Sequence, residues 1–397
     1  MHIVYVTGMF ADQDGDVLTG MPNYIYKIAK YMKSKGHNTS ILTTGKKNKQ
    51  WNYDGIRVYS VRVPYKKILS SEFNTYLLYP IMREFMFNHM LEMIDKNYPI
   101  TLVQYAGWYG VGMLYGKKFP SILRISTYTK VQLYSKHTAK ELAYITFTER
   151  MAAKRFDAVI SPSHTLGDRF SNDVKRKVMV MPTPFYYPNS DDEDNCIFNE
   201  VLQSKKYFLF FGRVSPDKGI ETIARCLEKI LLKYPDYYFC FAGEIAVING
   251  INMMSLLKKS ARKEKSRVIY LGELHHRQLN PIIRNAECIL LPSLMDNFPN
   301  TALEAMWLNG IVIGTKGASF EEIIEDKVSG LLMEIDDSQD LMKKLADVMG
   351  MSDRRKMQMR ENAKKSLQKY EAKTAGRKLE KYYKYVLEKR TRKTLKG

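Results

Sequence analysis

The feature that most constrains this chain is one alternation that occurs twice. Short β-branched or aromatic runs alternate with longer amphipathic stretches, and a proline-flanked acidic segment interrupts the pattern once. In the first half the expected strands are residues 3–7, 39–43, 56–61, 102–105, 121–125, 158–161 and 177–181. Between the first two, residues 21–35 carry Tyr24, Ile28, Tyr31 and Met32 at helical spacing and stop at Gly36. Strands interleaved with helices predict a parallel sheet covered by helices on both faces. The pattern breaks at Pro184 and Pro188, which lead into Asp191-Asp192-Glu193-Asp194. It restarts with expected strands at 207–211, 238–242, 268–271, 288–291 and 311–314. The expectation is α/β: a first domain over 1–185, a linker over 186–203 and a second domain over 204–369. A basic helix from about 370 to 397 is expected to pack back on the first domain. A length of 397 residues suits two cores better than one.

Composition narrows the function. No uncharged apolar run reaches the ~18 residues of a membrane span. Met1-His2-Ile3-Val4-Tyr5-Val6 runs straight into a strand, without the basic and apolar regions of a secretory leader. The four cysteines, Cys196, Cys226, Cys240 and Cys288, are scattered and form no CxxC pair, which suits a reducing compartment better than a zinc site or a disulfide framework. The expected location is therefore cytoplasmic. Sixty-two basic against 42 acidic residues leave +20, a charge that favours phosphates, anionic lipid or nucleic acid, or simply solubilises the chain.

In open parallel sheets, ligands bind where strands end and loops enter helices. Phe208-Leu209-Phe210-Phe211 leads into Gly212-Arg213-Val214-Ser215-Pro216-Asp217-Lys218-Gly219. Gly212 permits a close turn, and Arg213 and Lys218 are placed to grip a diphosphate, or are two solvated charges on a turn. Cys288-Ile289-Leu290-Leu291 leads into Pro292-Ser293-Leu294-Met295-Asp296-Asn297-Phe298-Pro299-Asn300-Thr301-Ala302-Leu303-Glu304-Ala305-Met306. A helix opening near 299–301 points free N–H groups and its positive end at an anion. Asp296 and Glu304 are suited to accept sugar hydroxyls, or Thr301 and Glu304 form a capping box.

These segments, with Gly310-Ile311-Val312-Ile313-Gly314, Gly317, Glu322-Ile323-Ile324 and Ser329-Gly330-Leu331-Leu332, resemble the retaining GT-B glycosyltransferases of family 4, the glycosyl transferases group 1. In the first half the resemblance runs through residues 1–43, with Gly20 and Gly36-His37, and through 149–181. It implies a GT-B fold, two Rossmann-like domains with parallel sheets facing across a cleft, and a nucleotide-diphosphate sugar as donor without metal or other cofactor. It assigns Arg213 and Lys218 to the donor diphosphate, Glu304 to the ribose and Asp296 to the donor sugar. It puts Leu274 beside the base, the backbone of Asn300 and Thr301 on the phosphates, and Gly20, in the first loop, near the diphosphate. This chain departs from the pattern in three places. Met21 stands where a second glycine is common. Ser126 stands where a histidine is common, with Arg124 or Thr127 as substitutes. Asp296 stands for a glutamate, so that Glu-x7-Glu reads Asp-x7-Glu.

Asp12-Gln13-Asp14-Gly15-Asp16 half-resembles a metal loop, but Val17 and Asn23 stand where a calcium loop needs Gly and Glu. The adjacent pair His275-His276 diverges on any regular element. Residues 62–93 mix Arg62, Lys66 and Lys67 with Tyr65, Ile68, Leu69, Tyr76 and Phe85. With the tail Lys389-Arg390-Thr391-Arg392-Lys393 they suit an anionic bilayer carrying a lipid-linked acceptor, or plain packing and solvation. The resulting expectation is a hexosyltransferase-type enzyme acting on a glycan or lipid-linked acceptor in cell-surface polysaccharide synthesis. It works at the inner membrane face and not on nucleic acid. The alternative is a nucleotide-sugar-binding relative without turnover.

Overall fold

A computed structural model describes residues 1–12, 20–64, 70–131, 137–187 and 193–394. The chain divides into two compact units, Met1–Pro184 with Tyr370–Gly397, and Phe185–Lys369.

The first unit is built on strands β1 (His2–Val6), β2 (Asn38–Thr44), β3 (Lys49–Tyr53), β4 (Ile56–Val61), β5 (Leu102–Gly107), β6 (Ser121–Ile125), β7 (Ala158–Ser161) and β8 (Val178–Val180). They form one sheet in the order β3-β4-β2-β1-β5-β6-β7-β8. Every neighbouring pair is parallel except β3 and β4. β1 is buried at every position because helices cover both of its faces, which is why central strands read as unbroken apolar runs. The antiparallel β3 escapes the expected all-parallel pattern because only Trp51 in it is buried, so its sequence lacks an apolar run. Its signal was the turn instead. Asp54 and Gly55 adopt φ of 49° and 74°, the left-handed pair of a tight hairpin that Asp-Gly favours.

The long C-terminal helix, Ala372–Thr394, belongs to this unit. Tyr383 donates to Gln104 Oε1 at 2.5 Å, and Gln104 Nε2 donates to the Tyr24 hydroxyl at 2.9 Å. This chain of buried polar groups ties the helix to the centre of the sheet and satisfies side chains that would otherwise be orphaned there.

The second unit carries β9 (Lys206–Phe211), β10 (Tyr237–Ala242), a small hairpin of β11 (Val247–Ile248) and β12 (Ile251–Asn252), then β13 (Val268–Tyr270), β14 (Cys288–Leu291), β15 (Val312–Thr315) and β16 (Leu331–Met333). Its main sheet runs β13-β10-β9-β14-β15-β16, parallel throughout. Between the strands lie amphipathic helices such as Ile220–Lys233, whose Ile223, Leu227, Ile230 and Leu231 are buried at 3.6-residue spacing. β16 was not expected, being three residues long. The segment read as a linker lies within this second unit. Glu193 pairs with Arg284, Asp194 N–H donates to the Arg277 carbonyl at 3.0 Å, and Phe198–Leu202 forms a helical turn. No helix among the described residues is long and apolar enough to cross a membrane.

Candidate functional site

β9 and β14 are hydrogen-bonded neighbours, so the loops leaving their carboxyl ends emerge side by side. After β9 the chain turns at Gly212, with φ of 119°, a conformation that side chains resist. It then forms a short 3-10 turn, Pro216–Lys218, and enters the next helix through Gly219, with φ of 76°. A methyl group on Gly219 would sit 1.8 Å from the Pro292 carbonyl oxygen, so only glycine lets this loop touch the one after β14. The Leu294 N–H donates to the Asp217 carbonyl at 2.9 Å and clasps the two loops together.

That clasp brings Lys218 to Asp296, with Nζ 2.5 Å from Oδ2. The pair is mostly shielded: 29% of the lysine side chain and 14% of the aspartate side chain remain exposed. Burial works to lower the Lys218 pKa, but the charge and hydrogen bond of Asp296 outweigh it and hold the ammonium above the usual lysine value. The other Asp296 oxygen accepts the Phe298 N–H at 3.1 Å, which fixes the carboxylate.

The loop then enters the Asn300–Trp307 helix, whose N-cap is Pro299 and carries no side-chain cap bond. First-turn N–H groups have no intrahelical partner, and the positive dipole end lies there. Asn300 and Thr301 open this turn. A methyl on Gly212 would lie 3.7 Å from Thr301 Cγ2, so the turn after β9 abuts the start of this helix. The capping-box alternative does not form, because Thr301 is inside the helix rather than at its N-cap. Glu304 lies one turn further in, mostly buried, with Oε2 3.9 Å from His276 Nδ1. Leu274 is half-buried after β13, just ahead of the His276–Asn285 helix.

The structure thus joins Lys218 to Asp296 and Gly212 to Thr301. Arg213 instead faces Glu244, with Nε 3.8 Å from Oε2, on the loop after β10. Glu244 is the site neighbour that sequence reasoning missed, and His276 was considered there only as half of a diverging pair. A findable signal for Glu244 was Gly243, which ends β10 as Gly212 ends β9. Gly243 has φ of 128°, and a methyl on it would meet the Gly212 carbonyl oxygen at 2.1 Å.

Gly20 lies in the first unit. It is not a loop residue there but lies in the Gly20–Ser34 helix, exposed and with open space where a side chain would go. Arg124, weighed as a replacement for the missing histidine, is engaged within its unit. It stacks over the Tyr24 ring at 3.6 Å and donates to Thr183 Oγ1 at 2.8 Å and to Ser126 Oγ at 3.3 Å. Thr127 and the buried Glu149 line one small pocket. Glu149 accepts the Thr129 hydroxyl at 2.9 Å and the Thr129 N–H at 3.2 Å, yet burial pushes its pKa up to about 7. Residues 13–16 of the acidic loop and 65–69 of the basic segment lie outside the described residues. Among the described residues, no group of three or more His, Cys, Asp or Glu is placed to hold a metal ion.

With this geometry in view, the second half, residues 192–366, matches the family model "Glycosyl transferases group 1". The first, residues 19–184, matches "Glycosyl transferase 4-like domain". The phosphatidylinositol N-acetylglucosaminyltransferase GPI3 subunit of Saccharomyces cerevisiae is 22% identical over 328 residues, covering 79% of this chain and 68% of that protein. Two bacterial relatives are matched over 50% and 55% of their own length, so the chain spans about half of those proteins. Among solved structures, the fold is shared with a sucrose-phosphate synthase from Thermosynechococcus elongatus, at TM-score 0.79 and 16% identity, covering 97% of this chain and 99% of that one. It is shared also with HepE from Anabaena in complex with UDP and glucose, at TM-score 0.69 and 15% identity, covering 96% and 98%.

Proposed function

Both halves of this chain belong to glycosyltransferase families and its fold is GT-B, and from that premise we propose that it moves a hexose from a nucleotide-diphosphate sugar to an acceptor with retention of configuration. The observation that carries the reading is the Lys218–Asp296 pair at 2.5 Å, set beside the opening turn of the Asn300–Trp307 helix. Breaking the anomeric bond builds negative charge on the departing diphosphate. A fixed ammonium and a helix N-terminus act most strongly on charge that appears in the transition state.

In this reading Lys218 and Arg213 take the diphosphate, with the backbone of Asn300 and Thr301 beside it. Glu304 accepts the ribose hydroxyls, Leu274 lies against the base and Asp296 accepts hydroxyls of the donor sugar. A phosphate arriving at Lys218 shares the ammonium and frees lone pairs of Asp296 for the sugar, so the two events reinforce each other. A unit pair about 4 Å apart is worth roughly 4 kcal/mol at an effective dielectric near 20, which is enough to stand in for a metal ion. A UDP complex among the fold neighbours supports a nucleotide donor. The yeast relative, named for phosphatidylinositol, supports a lipid-linked acceptor. Cell-surface polysaccharide synthesis is the setting that combines these features.

The test is a thermal-stabilisation screen of UDP, GDP and ADP sugars, followed by NMR of the anomeric proton in the product. One nucleotide class should raise the melting temperature, and the product should keep the donor's anomeric configuration. Inversion would end the retaining assignment, and stabilisation by no nucleoside diphosphate would end the donor assignment.

A further inference from the structure

A second concentration of charge lies in the first unit, at the opposite end of its sheet from the strand ends where such folds bind substrate. A groove of about 840 Å³ is lined by eighteen residues, nine of them Lys or Arg and one of them, Asp157, acidic. Lys117 and Asp157 precede β6 and β7, and Arg176 and Lys177 precede β8, so the groove runs along the amino ends of these strands. β8 is the edge of the sheet, and its Met179 contributes to an apolar floor. The facing wall is the Ala372–Thr394 helix. Its lining positions 378, 381, 382, 385, 386 and 389 recur at three- and four-residue intervals, so one helical face carries Lys378, Lys381 and Lys389 interleaved with Tyr382, Tyr385 and Val386.

Two features show a built site rather than a coat of solvated lysines. Arg390 is fixed by the carbonyls of Phe119 at 2.6 Å and Lys117 at 2.5 Å, and by Asp157 Oδ2 at 2.7 Å. Arg176 is fixed by the carbonyls of Ala153 and Phe156. The carbonyls hold the Arg176 guanidinium in place without cancelling its charge, whereas Asp157 offsets that of Arg390. The single acid is spoken for as well, since Asp157 Oδ2 accepts the Ser121 N–H at 2.9 Å besides Arg390. Among the described residues Lys378, Lys381 and Lys389 pair with no carboxylate, whereas the neighbouring Lys384 pairs with Glu380 at 2.9 Å on another face of the helix. Like charges gathered in a concave, partly apolar space repel one another unless an anion enters.

We propose that this groove binds a phosphate-bearing ligand with more than one negative charge, whose less polar part rests on Met179, Tyr382 and Val386. The shape favours a discrete phosphate group over the plane of a bilayer, which would touch only the rim. The phosphate belongs either to a soluble polyphosphorylated molecule or to the headgroup of an anionic lipid. The site is independent of the donor reading, because its residues all lie in the other unit.

The test uses the full chain, its Lys378→Glu/Lys381→Glu/Lys389→Glu variant and its Lys218→Ala variant. All three groove lysines are exposed on a helix, so charge reversal there spares the core. Inorganic tripolyphosphate is titrated by calorimetry, and vesicles with and without cardiolipin, whose headgroup carries two phosphates, are tested by co-sedimentation. The wild type and Lys218→Ala should bind one probe saturably, with tripolyphosphate half-saturation below about 1 mM if the ligand is soluble. The groove variant should lose at least tenfold, and binding should weaken steeply with salt. Tripolyphosphate binding alone identifies a soluble ligand, and cardiolipin binding alone a headgroup. The proposal is overturned if neither probe binds, if the groove variant binds as the wild type does, or if only Lys218→Ala loses binding.

Discussion

Replacing Lys218 by alanine separates its observed pairing with Asp296 from the diphosphate role proposed for it. In the structure Lys218 neutralises Asp296 across 2.5 Å. With 29% of its side chain in water, the pair is not deeply buried, so stranding Asp296 should cost about 1–3 kcal/mol, below the 3–5 typical of a fully buried pair. With donor bound, the same charge should stabilise the departing diphosphate by roughly 4 kcal/mol before desolvation and about 2–3 after it. That corresponds to a loss of about 30- to 150-fold in kcat/KM. The second substitution Asp296→Asn tells the two apart. Lys218→Ala/Asp296→Asn removes both charges, so it should recover most of the lost melting temperature. It should not recover affinity for nucleoside diphosphate, measured by calorimetry against the monophosphate of the same base. The reasoning is refuted if Lys218→Ala keeps its preference for diphosphate over monophosphate. It is refuted equally if the double variant regains that preference, for then the lysine serves only to neutralise Asp296.

Three further outcomes follow from the geometry. A chelator should leave transfer unchanged, measured as nucleotide release before and after dialysis against EDTA, and loss of activity restored by a divalent ion would contradict the charge assignment. Gly219→Ala should destabilise the second unit by about 3 kcal/mol or more, because its φ is 76° and the new methyl meets the Pro292 carbonyl at 1.8 Å; a melting temperature equal to wild type would show that the two loops are not locked together. Glu149, with its pKa raised to about 7, binds its proton more tightly when folded than when unfolded, so its contribution is full below the usual glutamate value of 4.5 and is lost as pH rises through about 7. The loss is about 3 kcal/mol at pH 8. Glu149→Gln should therefore match the wild type or fall below it at pH 4 and gain on it steadily up to pH 8, and a constant difference across that range would rule the buried acid out.

The parallel strands were legible because burial on both faces forces unbroken apolar runs, as in Phe208-Leu209-Phe210-Phe211. β3 was not, because an edge strand with one buried residue leaves no such run, and only its Asp54-Gly55 turn marks it. The candidate site was legible as a set of motifs after β9 and β14, since a strand end, a glycine and a cation are all local features. Its pairings were not. Lys218 and Asp296 are 78 residues apart, and the bond between them exists only because β9 and β14 are neighbours in the sheet. Glu244 stayed hidden for the same reason, its meaning depending on β10 lying next to β9.

By itself, then, the amino-acid order determined which segments become strands, where each loop carries its charges, and that the architecture repeats. Those properties depend on periodicity and on residues near each other in the chain. Tertiary structure alone decided which charges meet: that the Lys218 ammonium rests on Asp296, and that cations from residues 117 to 390 collect along one groove while a single carboxylate faces them. Electrostatic interaction falls with distance through space, and distance along the chain says little about it until the strands have taken their order.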